Sequence, residues 1–158
     1  MSDDHNSQIQ ELIARFGDLN YAVRSNAAFT LGLLSQLAQI NQNSIELLQA
    51  TQPLIHALSD PDILVRSSAA SALVQIIENI ANLQYSQELV LEIKGILNSK
   101  ELIQLALTDR KLYSQLFNAC NSILRECQIQ MDGIRVEPPR IFVRNNTGTI
   151  MPRGKSHV

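Results

Sequence analysis

The chain has 158 residues and a mass of 17.6 kDa, enough for one continuous core and too little for a second catalytic module beside it. A formal charge of −2 and a pI near 5.9 argue against a whole-surface electrostatic footprint for nucleic acid or anionic lipid. With 45% hydrophobic residues but 4% aromatic and no Trp, the core is expected to be Leu, Ile, Val and Ala, which suits closely stacked helices.

The first residues, Met-Ser-Asp-Asp-His, are polar and acidic where a secretory leader would be basic and then apolar. No run of about 18 residues is apolar throughout, so an intracellular, cytoplasmic chain without a membrane span is expected. Ile9, Leu12, Ile13 and Phe16 recur at helical spacing and predict an amphipathic helix over residues 8–16, closed by Gly17. Asn20 is placed to cap a helix over residues 21–39. Its expected buried stripe is Val23, Ala27, Ala28, Leu31, Leu34 and Leu37, with the alanines letting a partner helix approach closely. Ser44 is placed to cap a helix carrying Ile45, Leu47, Leu48, Leu54, Ile55 and Leu58, which Pro53 must kink or split because it lacks a backbone donor. Asp60 then reads as an N-cap and Pro61 as the first helical residue of a helix reaching about Asn82, on the stripe Val65, Ala69, Leu73, Ile76 and Ile80. Further on, Leu89, Leu91, Ile93, Ile96 and Leu97 make one helix and residues 102–107 a short one. A long last helix carries Leu112, Leu116, Phe117, Cys120, Ile123, Leu124 and Cys127.

From Asp132 the character changes. Gly133, Pro138, Pro139 and Gly148 forbid a continued helix, and residues 140–144 and 149–151 fit either a small hairpin or an extended tail. Residues 1–131 hold 8 Lys and Arg against 13 Asp and Glu, whereas residues 132–158 hold 5 against 2. The expected organisation is therefore an acidic helical body, 1–131, followed by a basic segment, 132–158.

The chain also repeats itself. Residues 12–34 return, shifted by 42 positions, as residues 54–76, with nine of 23 positions identical and no gap. The shared residues include Leu12/Leu54, Asp18/Asp60, Val23/Val65, Arg24/Arg66, Ala27/Ala69, Ala28/Ala70 and Leu31/Leu73. A repeat of this length built from two helices is the signature of an α-solenoid, which binds along a surface rather than transforming substrates in a pocket. The expected fold is all-α, a short solenoid of about three helical pairs with a non-helical C-terminal extension. The third pair departs from the pattern, as terminal units do.

The pattern L-x3-L-x-D-x4-V-R-x2-A-A-x2-L, at Leu54, Leu58, Asp60, Val65, Arg66, Ala69, Ala70 and Leu73, resembles HEAT repeats, and the first unit matches it with Phe16 in place of Leu58. The resemblance covers residues 12–76, is weak over residues 89–127 and is absent beyond Asp132. It implies that Asp18, Arg24, Asp60 and Arg66 bond between adjacent turns and order the stack. The short, alanine-rich units look like those of phycobilisome-lyase-like proteins, which implies an alternative role as a bilin-lyase-like subunit or chaperone for a chromophorylated client.

Signals for chemistry are few. His5, His56 and His157 are scattered with no ligand at metal-binding spacing, and Asp60 and Asp62 flank a proline where capping accounts for both. Cys120 and Cys127 lie about 10 Å apart along a helix and on one face, which reads as two buried, reduced thiols. No phosphate loop, Ser-His-Asp or Cys-His arrangement, or dinucleotide fingerprint is present, so no catalytic, cofactor-binding or metal residue is assigned and no cofactor is expected. Arg24 and Arg66 would form a phosphate-binding ladder if exposed, but their recurrence with the repeat favours hydrogen bonds between units. Arg135, Arg140, Arg144, Arg153 and Lys155 are the candidate partner-binding residues of the tail. The expected function is a non-enzymatic adaptor holding a protein partner on a face built by the second helices, residues 21–39 and 61–82. Nucleic-acid binding through the tail is the rival, and the oligomeric state stays open.

Overall fold

The computed structural model describes residues 2–41, 45–83, 86–131, 142–144 and 150–152. Seven α-helices follow in order: α1 (Ser2–Ala14), α2 (Tyr21–Asn41), α3 (Thr51–Ala57), α4 (Ile63–Leu83), α5 (Gln87–Leu97), α6 (Lys100–Thr108) and α7 (Arg110–Met131). Tight 3-10 turns at Arg15–Gly17 and Ile45–Ala50 adjoin α1 and α3. Beyond the helices, β1 (Phe142–Arg144) and β2 (Ile150–Pro152) pair antiparallel with Val143 opposite Met151, so this part of the C-terminal segment is a hairpin.

The helices stack in pairs. α1 packs on α2, α3 on α4, and α5 with α6 on α7. Across the pairs, α2 packs on α4 and α4 on α7, which makes one row of long helices, while α1, α3 and α5–α6 make the other. This is a short α-solenoid with α4 at its centre. The stripe Val65, Ala69, Leu73, Ile76 and Ile80 is wholly buried, met by Ala27, Ala28 and Leu31 of α2 and by Leu54, Ile55 and Leu58 of the preceding segment. Each such Leu or Ile contributes about 1.5–3 kcal/mol through removal from water, and both rows supply them to one continuous core.

Several expectations need correction. Residues 63–82 of α4 are, contrary to the sequence reading, long and apolar enough to cross a membrane, with a mean hydropathy of 1.2. Their apolarity has a local cause: α4 is covered by α2, α3 and α7, and it carries Arg66 and Glu78. The cap of α4 is Asp62, not Asp60. Asp62 Oδ1 accepts from Leu64 N at 2.8 Å, while Asp60 Oδ1 accepts from Asp62 N at 2.9 Å in the turn before, which leaves Pro61 outside the helix. Pro53 splits its helix upstream of itself: residues 45–50 wind as 3-10 and α3 begins at Thr51, because Pro53 cannot donate to the carbonyl four residues back. The proposed cap Ser44 lies outside the described residues.

Leu37, placed in the buried stripe of α2, is 54% exposed, and Phe29 and Leu33 are exposed beside it. The repeat register explains this. Leu33 and Leu37 stand where α4 carries Gln75 and Asn79, and those two face α2, since Asn79 Nδ2 donates to Ser35 Oγ at 2.8 Å. No described helix precedes α2 to cover the same side. Leu91 and Phe117 are likewise exposed where the sequence pattern placed them inward.

Candidate functional site

In both complete units the turn before the long helix is built the same way. Asp18 Oδ1 accepts from Asn20 N at 2.8 Å and Asn20 Oδ1 accepts from Ala22 N at 2.9 Å, repeating the arrangement at Asp60, Asp62 and Leu64. Two helical positions further on, the arginine folds back: Arg24 Nη1 donates to the carbonyls of Asp18 and Leu19, and Arg66 Nη1 to those of Asp60 and Pro61. The other edge of Arg24 reaches the next unit. Its Nε donates to Asp60 Oδ2 at 2.8 Å and its Nη2 to Asp60 Oδ1 at 3.0 Å, a fork on a carboxylate with both side chains little exposed, 15% and 11%. Desolvation by itself would raise the pKa of Asp60. The hydrogen bonds from Arg24 and from the Asp62 amide, with the charges of Arg24 and Arg66, outweigh it and hold the carboxyl below its ordinary 3.8. Arg24 is accordingly a rivet between units, not an exposed phosphate ligand.

Further along α2 and α4 the contact stays close and polar. Ser25 Oγ lies 2.8 Å from Ser68 Oγ, Gly32 backs onto Ala72 and Gln75, and Ser35 accepts from Asn79. At Gly32 a Cβ would come within 2.7 Å of Gln75 Oε1 and 3.3 Å of Ala72 Cα, so a side chain there would displace the end of Gln75 and press on the α4 backbone.

α4 and α7 face each other across small side chains, Ala70 and Ala119 among them. A groove of about 640 Å³ opens there, edged by Ser71, Gln75 and Glu78 from α4 and by Gln115, Asn118 and Ser122 from α7. A smaller cleft of about 180 Å³ lies between α2 and α4 under Phe29, and Ser71 and Gln75 line both. Gln75 Nε2 donates to Ser71 Oγ at 3.3 Å, but its Oε1 is buried and accepts from nothing. The face made by α2, α4 and α7 thus offers an open trough of mixed polar and small apolar side chains with Glu78 on its edge, while Gln75 Oε1 is turned toward Gly32 in the α2–α4 contact. Sequence reading had missed these groove residues. Their signal was a second, polar stripe at helical spacing, Ser71, Gln75 and Glu78 on α4 and Gln115, Asn118 and Ser122 on α7.

The remaining candidates fall elsewhere. His56 has a 73% exposed side chain whose Nδ1 lies 3.6 Å from Oε1 of the buried Glu101. Cys120 and Cys127 are free and fully buried, and burial pushes the Cys120 thiol up to about 12. Among the described residues no group of three or more His, Cys, Asp and Glu is placed to hold a metal. Of the tail cations, Arg135, Arg140, Arg153 and Lys155 lie outside the described residues, and Arg144 is placed only as the strand residue opposite Ile150.

Paired helices repeated in register, stapled by an Asp–Arg fork and offering one long-helix face, define a helical-repeat protein of the α-solenoid class. The model of the HEAT-repeat family matches residues 9–89, just over half of the chain, and the protein belongs to that family. HEAT repeats commonly serve as protein-interaction modules. The match is to the general repeat and does not extend to the phycobilisome-lyase-like subtype. Searches of curated proteins and of solved structures found no match to this chain.

Proposed function

We propose that this protein is a non-enzymatic adaptor of the cell interior that holds a protein partner on the face formed by α2, α4 and α7, with the α4–α7 groove as the principal seat. The observation that carries this reading is the groove itself: a preformed, open trough edged by Ser71, Gln75, Gln115, Asn118 and Ser122 with Glu78 at its side, over small apolar residues such as Ala70 and Ala119. Such a surface suits the amide and hydroxyl groups of a polypeptide, and rigid stacked helices present it with little ordering cost on binding. The trough's Ser71, Ser122 and Glu78 have no His or Cys among its lining residues, and no metal-holding cluster is found among the described residues, so nothing there favours an enzymatic role.

The test is capture of a partner from native extract by the full-length protein and by two full-length variants. Ser71→Arg fills the trough from an exposed position; Arg140→Glu with Arg144→Glu reverses charge in the tail. A partner kept by the tail variant and lost by Ser71→Arg supports the groove. The opposite pattern moves recognition to the tail and overturns the reading, and binding of nucleic acid with steep salt dependence would replace it.

A further inference from the structure

The two ends of the row of long helices differ. At the first end α2 shows solvent a face without charge, along which Phe29, Leu33 and Leu37 recur every four residues as one stripe, 56%, 40% and 54% exposed. The sole charged residue of α2, Arg24, is little exposed and tied to Asp60. The repeat shows what belongs on part of this face. Shifted by 42 positions, Thr30, Leu33 and Leu37 become Ala72, Gln75 and Asn79 of α4, and these are residues that α2 covers through Gly32 and Ser35. α2 therefore repeats the half of a helix–helix contact that is filled on α4, with two leucines where α4 has amides. An end facing only water is expected to be polar instead.

At the other end the stack does not offer the matching half. Tyr113 N donates to the Asp109 carbonyl as Arg24 N donates to that of Asn20, which fixes the register of α7. Asn121 then stands at the position of Gly32, through which α2 approaches α4, and one turn before it Phe117 stacks on Tyr113 with ring centroids 5.3 Å apart. With these larger side chains α7 of one copy lacks the close approach that would let it cover α2 of the next, so head-to-tail growth is disfavoured. A two-fold pairing asks for no such approach. With two α2 helices antiparallel about Leu33, Phe29 lies opposite the second copy's Leu37 and Leu37 opposite its Phe29, the self-complementarity that a closed dimer requires. Thr30 and Gln36, three residues to either side of Leu33, meet in the same way as neutral groups.

We propose that this face of α2 is a self-association surface, on which a second copy of the chain packs α2 against α2 across a two-fold axis at Leu33. One helix face, about 30 Å long and 10 Å wide, is smaller than the roughly 800 Å² per partner of a stable complex, so the dimer is reversible and depends on concentration. It leaves the α4–α7 groove open in both copies and stands independently of the adaptor reading.

The test is sedimentation velocity of the full-length protein from low micromolar to near-millimolar concentration. The weight-average mass is expected to rise from 17.6 kDa toward that of two chains and no further. Leu33→Lys, a change at an exposed position whose folding is checked by circular dichroism, is expected to abolish the rise. Leu91→Lys, at a 65% exposed leucine of α5, is expected to leave it unchanged. Mild oxidation of Leu33→Cys is expected to give a disulfide-linked dimer, and of Ser114→Cys, on α7, none. A mass that stays at one chain over the whole range overturns the surface, as does an equal effect of Leu33→Lys and Leu91→Lys. Growth beyond two chains, or linkage through Ser114→Cys and not through Leu33→Cys, overturns the two-fold arrangement.

Discussion

Replacing Asp60 by Asn keeps the shape of the side chain and an oxygen for the Asp62 amide, but removes the charge on which Arg24 closes. Two charge-assisted hydrogen bonds, at 2.8 and 3.0 Å, are lost or weakened, and the Asn amide turns N–H groups toward N–H groups. A hydrogen bond to a charged group contributes about 1.5–3 kcal/mol when buried, and an exposed ion pair under 1. With side chains 11% and 15% exposed the pair sits between these limits, so the loss at neutral pH is set at about 1–2 kcal/mol after discounting for solvent screening. For a chain of this size that lowers Tm by about 2–8 °C. The sign with pH follows from the depressed pKa of Asp60: its stabilisation is complete above the unfolded value of about 3.8 and vanishes as pH falls through the lower folded value. Urea unfolding followed by far-UV circular dichroism should therefore show a gap between parent and Asp60→Asn that is constant above roughly pH 5 and closes in stronger acid. Equal stability of the two proteins at neutral pH, or a gap that persists unchanged into acid, would refute the assignment of Asp60 as the ionised rivet between units.

Gly32→Ala gains about 0.5–1 kcal/mol of helix propensity but must push Ala72 in the central helix, and a net loss of about 1 kcal/mol is expected in the same unfolding assay. Burial raises the Glu92 carboxyl above its ordinary 4.5, so its ionised form weakens the fold; Glu92→Gln should be the more stable protein at neutral pH, with the advantage fading as the parent protonates in acid. A thiol reagent should label neither cysteine of the folded protein within minutes and both in denaturant, because Cys120 and Cys127 are wholly buried and the Cys120 thiol stays protonated; rapid labelling of the native chain would contradict the packing of α7.

The repeat was legible because its residues do backbone work. Asp18, Asn20, Arg24 and their counterparts are bound to turn carbonyls and amides within a few positions, so their spacing appears directly in the chain. The paired stripes were legible for the same reason, since Val65, Ala69, Leu73, Ile76 and Ile80 are buried by neighbours that any repeat supplies. Which residue of Asp60 and Asp62 serves as cap was not, because both precede the helix within hydrogen-bonding reach of its first turn, and only the geometry shows Asp62 accepting from Leu64 N while Asp60 accepts from Asp62 N and holds Arg24, 36 positions away. The exposure of Leu37 and Phe117 escaped for a similar reason: helical periodicity gives a face its apolarity, and whether a helix lies over that face depends on the neighbouring units. The groove needs two helices and the gap between them, and only its polar stripes were present in the sequence.

The two helix contacts of the long row differ in a way that bears on binding. α2 and α4 are joined at both ends and in the middle, by the Arg24 fork, the Gly32 approach and the Ser35–Asn79 bond, so they form a rigid platform. α4 and α7 share buried leucines and isoleucines, but Tyr113, four residues after the cap Asp109, stands where the repeat has arginine, and no Asp–Arg fork joins the two helices among the described residues; the larger of the two described clefts opens between them. The departure of the third unit from the repeat pattern thus has a consequence beyond capping the stack. The larger of the two described clefts lies at the contact of the long row where that fork is absent among the described residues.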